Sequence, residues 1–351
     1  MTIEPRSSGM KKSPAEINAI MGALRDLHIG TPSYRNLNES FARLFEPGPD
    51  GMLTHMPVRF TAGTETHGVI LVAGPGAGKT TNMLHAIGSI EALANNPETG
   101  VPRYIYVTVK SPASLRSLAG QFLEKLGVDK VSDRAKVHEL WGMVRHRLLR
   151  LDISLVVVDE AHDMFRSNSG SETDTMFRMM KSLMQGDHPV VLLLGGTERL
   201  LDITRLDAQV NRRFRKVIEP ALDVGANGAS IRKMIAFYAD RAGLQLGMRD
   251  DVAVRLIHGA RYRFGRCVEI TLAAIEEALR AGDETLAGEH FETAWAREEG
   301  CPVTANVFAV EDFMTIELED DDEIGDRLQA ARKEKVRGKA ALKTKRGKKA
   351  A

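Results

Sequence analysis

Residues 68–82 run from Gly68 through Val69, Ile70, Leu71 and Val72 into a glycine cluster and then into a polar helix start. A short apolar run of this kind reads as a buried strand, and the glycines after it predict a tight turn. Few chains other than a phosphate cradle need this order of residue types. Gly74, Gly76 and Gly78 let consecutive backbone N–H groups turn inward around an anion, where a Cβ would obstruct. Lys79 is placed to reach β- and γ-phosphates, and the Thr80 hydroxyl to bind Mg²⁺. The helix that follows points its positive end at the same phosphates. Pro75, Ala77 and Thr81 complete the loop expected to hold a nucleoside triphosphate. The spacing is that of G-x-x-x-x-G-K-[ST] with Ala73 at the first glycine, a departure that touches only local turn geometry.

From Gly68 onward, apolar runs alternate with helical patterns, which predicts a parallel sheet covered on both faces. Strands are expected at 69–73, 103–109, 153–158, 190–195 and 216–219, with helices at 79–93, 112–126, 133–150 and 171–185. Before this core, Ser13, Pro14 and Glu16 form a helix start, and a second short helix carries Leu37, Phe41, Leu44 and Phe45. Residues 47–57 read as a loop or linker. Beyond Pro220 the strand signals stop, and segments 228–242, 250–258, 266–280 and 288–297 have helical periodicity. The expected division is a disordered N-terminus 1–12, a helical segment 13–60, an α/β core 61–224, a helical lid 225–298 and a charged, disordered tail 299–351.

The run Leu155 to Val158 ends in two acids, Asp159 and Glu160. In a parallel sheet the carboxyl end of such a strand lies beside phosphates bound after the first strand. Asp159 is expected to hold Mg²⁺, and Glu160 to orient and polarise the water that attacks the γ-phosphate. With Ala161 and His162 the acids also spell the box of DEAH helicases. A helicase motor of that kind needs two tandem nucleotide folds, and one is expected here, so His162 reads as a local hydrogen-bonding residue. Thr197, after Gly195 and Gly196, is a candidate for sensing the γ-phosphate or positioning the lytic water; it is equally a helix N-cap. The cluster Arg212, Arg213, Arg215 and Lys216 is a candidate source of an arginine acting on a neighbouring subunit, with Arg213 the first choice, or else a solvated face. Arg266, at a helix start in the lid, is a candidate γ-phosphate contact.

A net charge of +1 over 351 residues conceals opposite blocks. Residues 311–326 carry Glu311, Asp312, Glu317, Glu319, Asp320, Asp321, Asp322, Glu323 and Asp326 without a basic residue, and 332–349 are strongly basic. The basic block lacks aromatic residues, which argues against base stacking. It fits electrostatic DNA contact, docking onto an acidic partner, or a solubilising tail; the acidic block would compete with DNA for it. Cys267 and Cys301 suggest neither a disulfide framework nor a metal site. No apolar run approaches membrane-spanning length and Met1–Lys12 lacks a signal-peptide core, so no membrane partner and a cytoplasmic setting are expected.

With the loop 73–81, the acid pair 159–160, Thr197, the arginines at 212–213 before Phe214 and a helical lid, the chain resembles an AAA+ ATPase. Within that group it resembles the TniB/TnsC transposition regulators, which are related to MuB. The likeness is strongest from about 13 to 280 and includes the stretch Leu27 to Tyr34. It implies ATP and Mg²⁺ as cofactors and adenine enclosed near Ile29, Thr31 and Tyr34. It further implies a ring or filament on double-stranded DNA that recruits a transposase and a target-selection protein, with hydrolysis driving disassembly. In several such proteins the segment after the second strand grips the DNA backbone, which makes Lys110 and Arg116 the candidates here. Another AAA+ switch, of replication-initiator or helicase-loader type, is the alternative, and a signalling or secretion-associated ATPase a more distant one.

Overall fold

The computed structural model describes residues 12–111, 113–128, 130–165 and 170–318. Residues 1–11, Pro112 and the charged sequence beyond 318 lie outside the described residues. Two compact units emerge among the described residues, one from 28–220 and one from 12–27 with 221–318.

Helix α1 (Pro14–Arg25) starts on the expected capping box, the Ser13 hydroxyl accepting from the Glu16 N–H and the Glu16 carboxylate accepting from the Ser13 N–H. Helix α2 (Pro32–Leu44) is capped by Thr31 and leads into a hairpin, β1 (Phe45–Pro47) and β2 (Leu53–Pro57). The loop or linker expected over 47–57 is instead part of this hairpin. Its signal is the turn chemistry of Pro49, Asp50 and Gly51, where Gly51 takes φ +79° and the Gly48 N–H donates to the Met52 carbonyl at 2.7 Å.

The core continues through β3 (Gly68–Val72), α3 (Lys79–Gly88), α4 (Glu91–Ala94), β4 (Tyr104–Thr108), α5 (Leu115–Lys125), α6 (Val137–Arg150) and β5 (Leu155–Asp159). A 3-10 turn at Ala161–Phe165 precedes α7 (Gly170–Leu183), β6 (Val191–Gly196), α8 (Arg199–Thr204), α9 (Ala208–Arg213) and β7 (Phe214–Ile218). The helix expected over 79–93 breaks at Ser89 and Ile90, where the Ser89 hydroxyl bonds the Ala86 carbonyl instead of letting the helix run on.

All five core strands are parallel, in the order β4-β5-β6-β3-β7. The three inner strands are buried along their whole length, as their unbroken apolar runs predict, whereas edge strand β4 alternates buried with half-buried or exposed residues and β7 is buried only at Phe214 and Val217. Successive residues feed opposite faces. Ile70, Val72, Val156, Val158, Leu192 and Leu194 pack with α5, α6 and α7. Val69, Leu71, Leu155, Val157, Val191 and Leu193 pack with α2 and α3. β3 beside β6, and β6 beside β5, bring the phosphate loop and the acid pair to one edge of the sheet.

The second unit is mainly helical. It contains α10 (Val224–Arg241), α11 (Val252–Gly259), α12 (Phe264–Ala281) and α13 (Gly288–Glu299), with α1 packed on α12. Contrary to the expectation that strands stop at Pro220, β8 (Gln245–Gly247) and β9 (Thr285–Ala287) pair in parallel. Three-residue strands are too short for a periodicity signal. His290 Nδ1 accepts from the Ala287 N–H at 3.0 Å, so Nε2 carries the proton and donates to Asp283. This ties β9 to the start of α13 and leaves that nitrogen no lone pair for a metal, although Asp283, Glu289 and His290 cluster there. Residues 301–318, expected to open the charged tail, pack on this unit. Val307 and Phe308 are buried, the Arg255 guanidinium donates to the Val307 and Val310 carbonyls, and it lies over the Phe313 ring at 4.4 Å. Among the described residues no helix is long and apolar enough to cross a membrane.

Candidate nucleotide site

The loop after β3 is shaped by its glycines. Gly76 and Gly78 take φ +69° and +85°, a region that disfavours side chains, and Gly78 caps α3 in the left-handed conformation. Ala73, at the departure from the usual pattern, is buried and its N–H bonds the Gly196 carbonyl of β6 at 3.1 Å. The loop therefore keeps its anchorage to the sheet without a glycine there. Gly74, Pro75 and Ala77 form the turn, and Thr80 and Thr81 are exposed on the first turn of α3.

The side chains singled out for nucleotide chemistry converge. Lys79 Nζ lies 3.0 Å from Glu160 Oε1 and 3.8 Å from Asp159 Oδ1. The Thr80 hydroxyl donates to Asp159 Oδ2 at 2.8 Å. Asp159 Oδ1 accepts the Glu160 N–H at 2.9 Å. Glu160 itself takes φ +53°, a left-handed conformation costing about 1–3 kcal/mol for a residue with a side chain, and one that turns its carboxylate back toward Lys79. His162 Nδ1 sits 3.4 Å from Glu160 Oε2. A hydroxyl and a carboxylate, both hard oxygen donors within hydrogen-bond distance of each other, fit Mg²⁺.

Two glycines make room for this arrangement. A Cβ on Gly195 would stand 2.9 Å from Asp159 Oδ1 and from the end of Met83, and one on Gly196 would meet Leu200 at 3.0 Å. Thr197 follows them, half-buried, and its carbonyl accepts from the Leu200 N–H, so it opens the helical turn into α8.

Tyr106, which the sequence does not single out, also belongs here. Tyr106 donates to Asp159 Oδ2 at 2.5 Å, and burial together with that hydrogen bond pushes its hydroxyl above the ordinary phenol value. Near the N-terminal stretch, Thr31 and Ser33 both donate to Glu219, and Asn82 of α3 donates to Thr31 and Ser33 at 3.1 Å. His28 stacks on His85 with ring centroids 4.1 Å apart and meets Tyr34 edge-on. Burial first, then His28, pushes the His85 pKa down. Ile29 is half-buried, so the three residues proposed to enclose adenine lie on a segment fastened to α3 through Asn82. Alternation on β4 marks Tyr106 as one side of a strand, but nothing in its spacing points to Asp159.

Several predicted arginines are committed elsewhere. Arg213, the first choice for action on a neighbouring subunit, is instead buried and ion-paired with the buried Glu65. Arg212 shares that carboxylate at 3.1 Å, and the Thr61 hydroxyl donates to it at 2.6 Å. Burial alone would raise the Glu65 pKa; Thr61, Arg213 and Arg212 outweigh it and hold the carboxyl below its usual value. Arg212 and Arg215 are both exposed, and Arg212 spends a guanidinium nitrogen on Glu65. Arg116 donates to the carbonyls of Ala135, Ser132 and Asp133, which makes it a staple of that loop, while Lys110 is exposed. Arg266 pairs with Glu299 at 3.0 Å, and Arg261 grips the same carboxylate with two nitrogens.

Residues 64–204 match the AAA domain family. No curated protein is similar to the chain in sequence at a significant level. Among solved structures, the chain is similar to the Aeropyrum pernix ORC1 protein in complex with DNA, with TM-score 0.53, 20% identity, and 78% of this chain and 68% of that one covered. It is also similar to Cdc6p from Pyrobaculum aerophilum, with TM-score 0.50, 15% identity and coverage of 86% and 74%. Drosophila ORC bound to DNA matches with TM-score 0.50, 12% identity and coverage of 87% and 72%. The phosphate loop, the acid pair and the five-stranded parallel sheet that joins them therefore have the AAA+ P-loop fold.

Proposed function

We propose that this chain is an AAA+ ATPase that assembles on duplex DNA in its ATP-bound state and serves as a transposition regulator of the TniB/TnsC kind. The observation that carries the ATPase reading is the convergence of Lys79, Thr80, Asp159 and Glu160 at the carboxyl ends of β3 and β5. Lys79 binds the β- and γ-phosphates, exchanging its pairing with Glu160 for the substrate's charge. Thr80 and Asp159 would hold Mg²⁺, which supplies neutralisation of phosphate charge when bound. Glu160, released from Lys79, accepts the proton of the attacking water while ADP departs with the leaving oxygen. Thr197 positions that water, and Arg266, once freed from Glu299, contacts the γ-phosphate. Ile29, Thr31 and Tyr34 enclose the adenine.

Assembly requires a group that reads a neighbour's nucleotide, and exposed Arg215 is better placed for this than buried Arg213. Lys110 contacts DNA phosphates after β4; Arg116 holds the adjoining loop in shape. Likeness to ORC bound to DNA and the resemblance of residues 27–34 to transposition regulators support the DNA-bound reading. The further roles are marking a target and recruiting a transposase, with hydrolysis, slow and conditional on assembly, driving release in the cytoplasm.

Electron microscopy with duplex DNA and ATP or a non-hydrolysable analogue tests this. Rings or filaments on DNA that depend on nucleotide are expected; no DNA association at low salt in any nucleotide state would refute it. The fold likeness to ORC1 and Cdc6p favours, as a second reading, a replication-initiator type of switch. Stimulation of a transposase encoded beside this chain's gene separates the two.

A further inference from the structure

Asp159 is held from three directions. Its Oδ1 accepts the Glu160 N–H, and its Oδ2 accepts both the Thr80 hydroxyl and the Tyr106 hydroxyl. These donors differ in what carries them. Thr80 belongs to the phosphate loop and α3, the part of the site that must adapt to nucleotide. Tyr106 belongs to β4, whose pairing with β5 is continuous from Tyr104 opposite Leu155 to Thr108 opposite Asp159. The Val109 N–H extends that pairing by donating to the Asp159 carbonyl at 3.0 Å. In this register Tyr106 lies opposite Val157, one pleat short of Asp159, so only a long side chain with a terminal donor reaches the carboxylate. Thr108, the residue directly opposite Asp159, is exposed.

The terminal torsion of an aspartate is broad, so its carboxylate plane is set by what the two oxygens bond. We propose that Tyr106 is a positioning residue for the divalent cation, fixing the plane of the Asp159 carboxylate from the rigid sheet independently of the phosphate loop. The proposal rests on the nucleotide reading of the site. Outer partners of metal ligands act in this way generally, and their loss weakens metal affinity about 10–100-fold. A tyrosine used only as packing would have no such effect, because Tyr106→Phe retains the ring and its contacts.

The test uses the full chain and a fluorescent ATP analogue, with binding measured in EDTA and across a Mg²⁺ titration. For Tyr106→Phe the expected result is unchanged affinity in EDTA and a Mg²⁺ midpoint raised about 10–100-fold, with Thr108→Ala leaving both unchanged. A Mg²⁺ midpoint equal to that of the unaltered chain overturns the tyrosine proposal while leaving nucleotide binding intact. An equal loss of affinity with and without Mg²⁺ overturns it as well, since the hydroxyl then supports nucleotide binding without acting through the cation. If the unaltered chain binds no nucleotide in either condition, the nucleotide reading fails and the positioning role with it.

Discussion

The end of β5 and the turn into β7 both concentrate charge, yet they use it in opposite ways. At Asp159 and Glu160 the ionised groups meet Lys79 and Thr80 at the open edge of the sheet, and the Glu160 side chain remains 39% exposed. At the turn into β7, Arg213 and Glu65 close on each other with side chains 4% and 2% exposed. An ion pair at an open edge exchanges partners readily, because water and a ligand can replace either member. A sealed pair cannot do so without exposing an uncompensated charge, so it holds structure together. Charge clustering alone does not distinguish a site from a staple; access does.

The comparison can be broken by exchanging the effects of mutation at the two places. Glu160→Gln should lower the rate of ATP hydrolysis about 10²–10⁴-fold while nucleotide binding and the melting temperature persist, as read by phosphate release and thermal melts. Next in size, Arg213→Ala should destabilise the fold by about 3–5 kcal/mol, because it leaves the Glu65 carboxylate buried without its main partner. Denaturant unfolding measures this, and a loss of hydrolysis with stability unchanged would instead return Arg213 to the reaction. The smallest effect is the pH dependence of the same pair. The Glu65 pKa is lowered in the folded state, so its contribution is fully present above the unfolded-state value of about 4.3. It is lost as pH falls through the lower folded value. Melting curves from pH 6 down should therefore show an acid-side decline that flattens in Glu65→Gln.

Much of the core was legible because its signals are local. The strands were expected within a few residues of where they lie, since inner parallel strands are apolar on both faces and their ends are marked by glycine or acid. The hairpin at Phe45–Pro57 is signalled only by its Asp50–Gly51 turn, because strands of three and five residues carry little period, and the helix expected over 79–93 stops at Ser89. The roles of the arginines are the least legible in the sequence. Arg116, Arg213 and Arg266 look alike in sequence, and their roles depend on carbonyls and carboxylates supplied by other elements.

The order of residue types from Gly68 to Thr81 determined by itself that a strand, an anion-ready turn and a helix would follow one another, because glycine φ, strand apolarity and helix polarity act over a few residues. Which charges would face a nucleotide was decided only by folding. Tyr106 reaches Asp159 across 53 residues of chain, and Arg212 reaches Glu65 across 147. Such pairings are set by strand order and register, which arise from the packing of the whole sheet.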